Sequence, residues 1–170
     1  MDLSNDAEFS SLCSELVEKI GAELIKKGAF ASCAESLTGG LLASEIVGVP
    51  GASRWFAEGC VTYTDGAKAK RLLIPPKLIA AHTAVSRPVA KLMAEGGLKT
   101  SGASVSVSTT GLAGPGPDEY GRPAGLVFIG GATENGSVTK ELGLSGSRLV
   151  IRRQTVYEAL KLMYELAKII

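Results

Sequence analysis

From Ala7 to Lys27 the apolar residues Phe9, Leu12, Leu16, Ile20 and Leu24 recur three or four positions apart, which places them on one face of a helix. Gly28 follows directly and predicts the stop. Ala29 to Ala34 has the short apolar character of a buried strand, and Gly39 to Val47 predicts a helix. Val49-Pro50-Gly51-Ala52-Ser53 predicts a turn. Trp55 to Thr64 predicts a strand, followed by a helical segment that carries Lys68, Lys70 and Arg71 until Pro75-Pro76 interrupts it. Pro88 suits a first helical turn, and Val89, Leu92 and Met93 give that helix an apolar face. Ser104 to Thr109 alternates Val with polar residues, as a strand does. Gly111 to Ala124 is too rich in Gly and Pro to be regular. Gly125 to Ala132 and Ser137 to Leu144 predict two strands joined at Asn135-Gly136, a strong hairpin signal. The chain closes on an amphipathic helix, Ile151 to Ile170, with Val156, Leu160, Met163 and Ala167 on one side.

Strands and helices therefore intermix, with one hairpin and no internal repeat. This pattern predicts an α/β layered fold with a mixed β-sheet flanked by helices. A length of 170 residues suits one domain over 1–170, with residues 1–6 as a flexible polar terminus.

Composition narrows the picture. With 45% hydrophobic and 21% charged residues the chain is globular rather than disordered. Its 18 basic and 17 acidic residues nearly cancel, which argues against a nucleic-acid partner. No apolar run approaches the roughly 20 residues that span a bilayer, and Met1 to Asp6 is unlike a signal peptide. No membrane partner and a cytoplasmic location are the expectations. Cys13, Cys33 and Cys60 have no metal-ligand spacing, and His82 is the only histidine. Buried reduced thiols and no metal are expected.

The candidate chemistry centres on Ala34-Glu35-Ser36-Leu37-Thr38-Gly39-Gly40, at a strand-to-helix junction. Ser36 there would stand ahead of free helix N–H groups, which favour an oxyanion or a phosphate, and Gly39 and Gly40 allow close approach to the backbone. A serine nucleophile needs a base. His82 would allow a triad, but a capping or buried hydrogen-bonding histidine is the favoured reading. Lys68, five residues beyond Tyr63, would serve if burial removed its proton; the other reading is that Lys68, Lys70 and Arg71 form a solvated basic face. Thr110-Gly111-Leu112-Ala113-Gly114-Pro115-Gly116 makes a second glycine-rich turn, which matches neither a P-loop nor a dinucleotide fingerprint. With Arg148, Arg152 and Arg153 it offers groups for an anion.

These segments, in order over roughly Leu12 to Leu166, resemble the CinA C-terminal domain family, the nicotinamide-mononucleotide amidohydrolases, in its stand-alone form. The matching residues are Ala34-Glu35-Ser36 with Thr38-Gly39-Gly40, Val49-Pro50-Gly51-Ala52-Ser53, Gly59 with Tyr63 and Lys68, and His82 with Ala84-Val85-Ser86. Thr110-Gly111 with Ala113-Gly114-Pro115 follows, then Gly146 with Arg148 and Arg152. The resemblance implies hydrolysis of the carboxamide of nicotinamide mononucleotide to nicotinate mononucleotide and ammonia, in pyridine nucleotide salvage and without a cofactor. It implies Ser36 as nucleophile, Lys68 as base and Tyr63 assisting proton movement. Thr38, Gly39, Gly40, Thr110, Gly111, Arg148 and Arg152 are expected to bind substrate, Arg148 holding the phosphate. A homodimer is the expected assembly. Leu37 stands where Cys is common, Arg87-Pro88 replaces an acidic pair, Ser147 replaces Asp or Asn, and the loop Pro117 to Arg122 departs in composition. Two other readings use the same residues: a non-catalytic nucleotide-binding module tied to competence or damage responses, and a hydrolase of another small amide or ester.

Overall fold

The structure, a computed structural model, describes residues 3–170. Met1 and Asp2 of the expected flexible terminus lie outside the described residues. Leu3 is buried, and its carbonyl and that of Ser4 accept from Arg153.

Six helices and five strands follow the order α1 (Asp6–Lys27), β1 (Ala31–Glu35), α2 (Leu41–Val47), β2 (Phe56–Val61), α3 (Asp65–Leu72), α4 (Pro76–His82), α5 (Arg87–Ser101), β3 (Val105–Gly111), β4 (Leu126–Thr133), β5 (Gly136–Gly143) and α6 (Arg148–Ile169). The sheet runs β2-β1-β3-β4-β5. β1 is parallel to both β2 and β3, whereas β4 and β5 return antiparallel. This is the mixed α/β sheet the pattern predicts. Its single-domain layering follows from where the apolar faces go. α1, α2 and α6 pack together on one face over Phe9, Ile20, Leu42, Val107, Ile129 and Leu160. α3, α4 and α5 cover the other over Ala34, Leu72, Ile79, Val89 and Met93. β1 is buried along its whole length because both faces are covered, which explains its reading as a buried strand.

Local chemistry sets the element ends. Side chains of Asn5, Thr64, Ser86 and Ser147 accept from backbone N–H groups in the first turns of α1, α3, α5 and α6. The cap on Ser147 starts α6 at Arg148, three residues before the predicted Ile151. β2 begins at Phe56, not Trp55, because a single 3₁₀ turn over Ala52–Arg54 precedes it. The hairpin pairs Thr133 with Gly136, so Glu134 and Asn135 form the loop, displaced by one residue from the expected Asn-Gly centre.

The topology places the site. β1 connects to β2 through α2 on one face, and β2 connects to β3 through α3, α4 and α5 on the other. The chain thus leaves β1 and enters β3 on opposite faces. The carboxyl ends of adjacent parallel strands open a crevice at such a switch point. Ser36 follows β1, Thr62 and Tyr63 follow β2, and Thr110 and Gly111 end β3.

The packing of α3 rests on one close approach. A Cβ on Gly96 of α5 would stand 2.3 Å from the Leu72 carbonyl oxygen and 2.8 Å from Leu72 Cβ. Alanine at a helix interior normally gains about 0.5–1 kcal/mol over glycine, but this clash is with backbone and cannot relax by a rotamer change. Gly96→Ala is expected to lower stability by about 1–3 kcal/mol, read as a fall in the urea midpoint; an unchanged or higher midpoint would show that α3 moves freely over α5.

Candidate active site

The turn after β1 is built on Glu35. Its side chain is fully buried, and its carboxylate accepts from the N–H groups of Gly40, Leu42 and Ala43 at 2.9, 3.1 and 2.9 Å. An acceptor-only group is here matched to donors that a helix start leaves orphaned. The reversal needs Gly39 and Gly40 at φ 59° and 94°, where side chains are strained. Two expectations change with this. The helix begins at Leu41, not Gly39, after Gly40 as its cap residue. The α2 donors are occupied by Glu35, so they are not the anion site that the strand-to-helix reading anticipated. The N–H groups of Leu37 and Thr38 remain, with no protein acceptor among the described residues.

Ser36 is nearly buried, its N–H donating to the Thr109 carbonyl at 2.9 Å. Lys68 reaches it from α3, with Nζ 3.2 Å from Ser36 Oγ, 2.9 Å from the Thr62 carbonyl and 3.5 Å from the Tyr63 carbonyl. Lys68 is 1% exposed, so the solvated-face reading fails for it; Lys70 and Arg71 are exposed, and Arg71 pairs with Glu58 at 3.0 Å. Burial pushes the Lys68 amine below the ordinary lysine range, and the charge of nearby Asp65 opposes this only in part.

These two side chains floor an open cleft of about 360 Å³, lined also by Leu37, Tyr63, Ala84, Val85, Thr110, Gly111, the turn Leu112 to Asp118, and Arg148. That volume lies within the small-molecule range of about 300–1,000 Å³. Tyr63 is 60% exposed at the mouth, where its hydroxyl accepts from Arg148 at 3.5 Å. The other Arg148 nitrogen donates to the Gly114 carbonyl at 2.7 Å. Thr110 donates its hydroxyl to the Ala84 carbonyl at 2.7 Å, joining the end of β3 to the α4–α5 connection.

Other predicted residues stand apart. Thr38 is fully buried and shares a 2.7 Å hydrogen bond with Thr109, and neither it nor Gly39 nor Gly40 lines the cleft. Arg152 donates to the Leu37 and Thr38 carbonyls at 3.0 and 2.6 Å, holding the serine turn from behind. Arg153 is tied to Leu3, Ser4 and Asp6. His82 ends α4, exposed and outside the cleft lining, which removes the triad reading. Cys13 and Cys33 are buried free thiols and Cys60 is half-buried; burial pushes the Cys13 thiol up to about 12. Among the described residues no three His, Cys, Asp or Glu side chains gather as metal ligands would, and no helix is long and apolar enough to cross a membrane.

The profile of the CinA C-terminal domain matches residues 13–167. The chain belongs to the CinA C-terminal domain family. Relatives named competence-damage inducible proteins include one from Clostridium botulinum strain Okra, 44% identical over 155 residues, covering 91% of this chain and 38% of that protein. Another, from Caldicellulosiruptor saccharolyticus, is 43% identical over 151 residues, covering 88% and 37%. The chain thus spans about two fifths of the length of these curated relatives. Crystal structures of CinA-type proteins superpose closely. The competence/damage inducible protein CihA from Agrobacterium tumefaciens aligns at TM-score 0.87 and 36% identity, covering 91% of this chain and 95% of that one. The competence damage-inducible protein A from Klebsiella pneumoniae aligns at 0.86 and 31%, covering 90% and 95%.

Within this CinA domain, sequence reasoning passed over Glu35 as a structural centre. A carboxylate ending a strand of small, buried residues and followed by two glycines was the available signal. Glu35→Ala leaves the buried Leu42 donor and the partly buried Gly40 and Ala43 donors without their acceptor; a buried unsatisfied donor costs about 1–3 kcal/mol, so a loss of at least about 2 kcal/mol is expected in urea unfolding. Glu35→Gln keeps one acceptor oxygen and should lose less; equal stability of Glu35→Ala and wild type would refute the capping role.

Proposed function

We propose that this domain hydrolyses the carboxamide of nicotinamide mononucleotide, releasing nicotinate mononucleotide and ammonia, in pyridine nucleotide salvage. The observation that carries the reading is the desolvated Lys68 amine 3.2 Å from the Ser36 hydroxyl. A neutral amine has two N–H donors and one lone pair. The Thr62 and Tyr63 carbonyls accept the two donors, which leaves the lone pair for the Ser36 hydroxyl. Ser36 Oγ then attacks the amide carbon while Lys68 Nζ takes its proton. The Leu37 N–H, in the cleft lining and without a protein acceptor among the described residues, is the backbone donor available to the oxyanion. Lys68 returns the proton to the departing nitrogen, the C–N bond breaks and ammonia leaves. Water next attacks the nicotinoyl ester on Ser36, again giving its proton to Lys68; the ester C–O bond breaks, Lys68 returns that proton to Ser36 Oγ, and nicotinate mononucleotide departs with the hydroxyl and the neutral amine restored. Arg148 at the mouth, backed by the Tyr63 hydroxyl, supplies the cation for the substrate phosphate. The substrate itself is the one implied by the family resemblance.

Ammonia release from nicotinamide mononucleotide by the purified protein is the direct test. Ser36→Ala should abolish it, and Lys68→Met should lower kcat by about 10²–10⁴. A wild type that binds the mononucleotide, seen as a raised melting temperature, without releasing ammonia would instead favour a nucleotide-binding module. The pH profile gives a second check. Only the neutral amine accepts the serine proton, so kcat/KM should rise with pH and level off above the depressed Lys68 pKa. Its midpoint should fall below the ordinary lysine value of about 10.4; a profile flat through that range would remove Lys68 as the base.

A further inference from the structure

The cleft over Ser36 has a neighbour. Ala84, Val85, Leu112 and Asp118 line it and also line a second cavity of about 350 Å³, which continues past Ile79, Ala80 and Tyr120. The same four residues bound both spaces, so only a thin partition divides them. Arg148 enters from α6, in the layer of α1 and α2, whereas Ala84 and Val85 enter from the α4–α5 connection in the opposite layer. A substrate that spans from Arg148 to Ser36 therefore lies in a cleft that this partition bounds.

One side chain holds the partition together. Arg122 donates from Nε and Nη2 to Asp118 Oδ2 at 2.7 and 2.6 Å, and from Nη1 to the Val85 carbonyl at 2.7 Å and the Thr83 hydroxyl at 2.8 Å. Its planar fork thus fastens the loop after β3 to the α4–α5 connection. Asp118 closes its own turn by accepting from the N–H groups of Tyr120 and Arg122. The fastened segment is strained: Thr83 has φ 62° and ψ 154°, a backbone conformation that residues with a side chain rarely adopt. Such a conformation persists where its surroundings over-determine it, and here Arg122 and the Ser86 hydroxyl, which donates to the Thr83 carbonyl at 2.9 Å, both do so.

We infer that Arg122, with Asp118, is a specificity-determining positioning residue: it keeps the partition shut so that the cleft admits a primary carboxamide and excludes amides with larger nitrogen substituents. The inference rests on the hydrolysis proposed above. Its role is in the shape of the site, not in proton transfer.

The experiment compares kcat and KM for nicotinamide mononucleotide and its N-methyl and N-benzyl amide derivatives in wild type, Arg122→Ala, Arg122→Lys and Asp118→Asn. Wild type should favour the primary amide. Arg122→Ala should raise KM for the primary amide several-fold with kcat little changed, and narrow the preference over the N-benzyl amide by at least about tenfold, the scale of a lost steric fit. Arg122→Lys should not restore it, because one ammonium cannot reach Asp118, Thr83 and Val85 together. An active wild type with the preference and KM unchanged in Arg122→Ala overturns the inference alone, and so does a proportional loss of kcat on every substrate. A folded wild type inert on all three amides overturns the reaction and the inference with it. If Arg122→Ala melts below the assay temperature, Asp118→Asn, which keeps its size, decides by the same ratio.

Discussion

A buried amine with only neutral partners is the constraint from which the site follows. Lys68 is almost wholly withdrawn from water and meets a hydroxyl and two carbonyls, not a carboxylate. An ammonium there loses hydration without gaining a contact counter-charge, so the environment disfavours the proton. Asp65, at the start of the same helix, pulls the other way but is exposed, and solvent weakens its field. The balance leaves the Lys68 amine easier to deprotonate than an ordinary lysine. That balance depends on packing as much as on polarity. Lys68 is held inward because Leu72, one turn later on the same face, is buried against α5 at Gly96.

The sheet topology brings this amine to the serine. Three parallel strands end at one edge, and each contributes to the cleft: Ser36 after β1, the Thr62 and Tyr63 carbonyls after β2, Thr110 at the end of β3. Strands fixed by their ladders are firm supports, and the Ser36 N–H extends the β1–β3 pairing by donating to Thr109. The glycine-rich loop after β3 and the α4–α5 connection supply the walls. Those walls lack a ladder of their own, and side chains tie them instead: Thr110 to Ala84, Arg122 to Thr83 and Val85, Arg148 to Gly114.

How much of this was legible in the sequence depended on whether the deciding force was local. The helices, the mixed sheet and the irregular stretch after Gly111 follow from periodicity and from Gly and Pro, which act within a few residues. Element starts drifted where a cap decided them, as at Ser147 and Gly40. Periodicity alone left Lys68 between a buried base and a solvated face, because Lys70 and Arg71 beside it are solvated. The four-residue spacing of Lys68 from Leu72 was the signal that separated them. Its position beside Ser36 was reached through the family resemblance. Arg152 and Thr38 were expected at the ligand and are turned into the protein, since no sequence spacing reveals which partner a guanidinium or hydroxyl will meet across the fold. The Glu35 cap and the Arg122 clasp escaped for the same reason: each joins segments whose proximity exists only once the sheet has formed.

The two arginines of α6 show how one helix divides its labour. Arg148 and Arg152 lie four residues apart and so share a face. Arg148 stands at the mouth, whereas Arg152 is committed to the Leu37 and Thr38 carbonyls. That commitment bears on the backbone donors beside Ser36. In a trans peptide the C=O and the following N–H point in opposite directions. Holding the Leu37 carbonyl on Arg152 therefore turns the Thr38 N–H away from α6. The Ser36 carbonyl is likewise held, by the Gly39 N–H at 3.1 Å, which directs the Leu37 N–H the opposite way. Both unpaired donors are thus oriented by the carbonyls on their own peptide planes, and the orienting groups lie outside the cleft. With Glu35 occupying the first turn of α2, the electropositive end of that short helix is closed, and the unpaired backbone donor that the cleft retains beside Ser36, among the described residues, is the Leu37 N–H immediately after it.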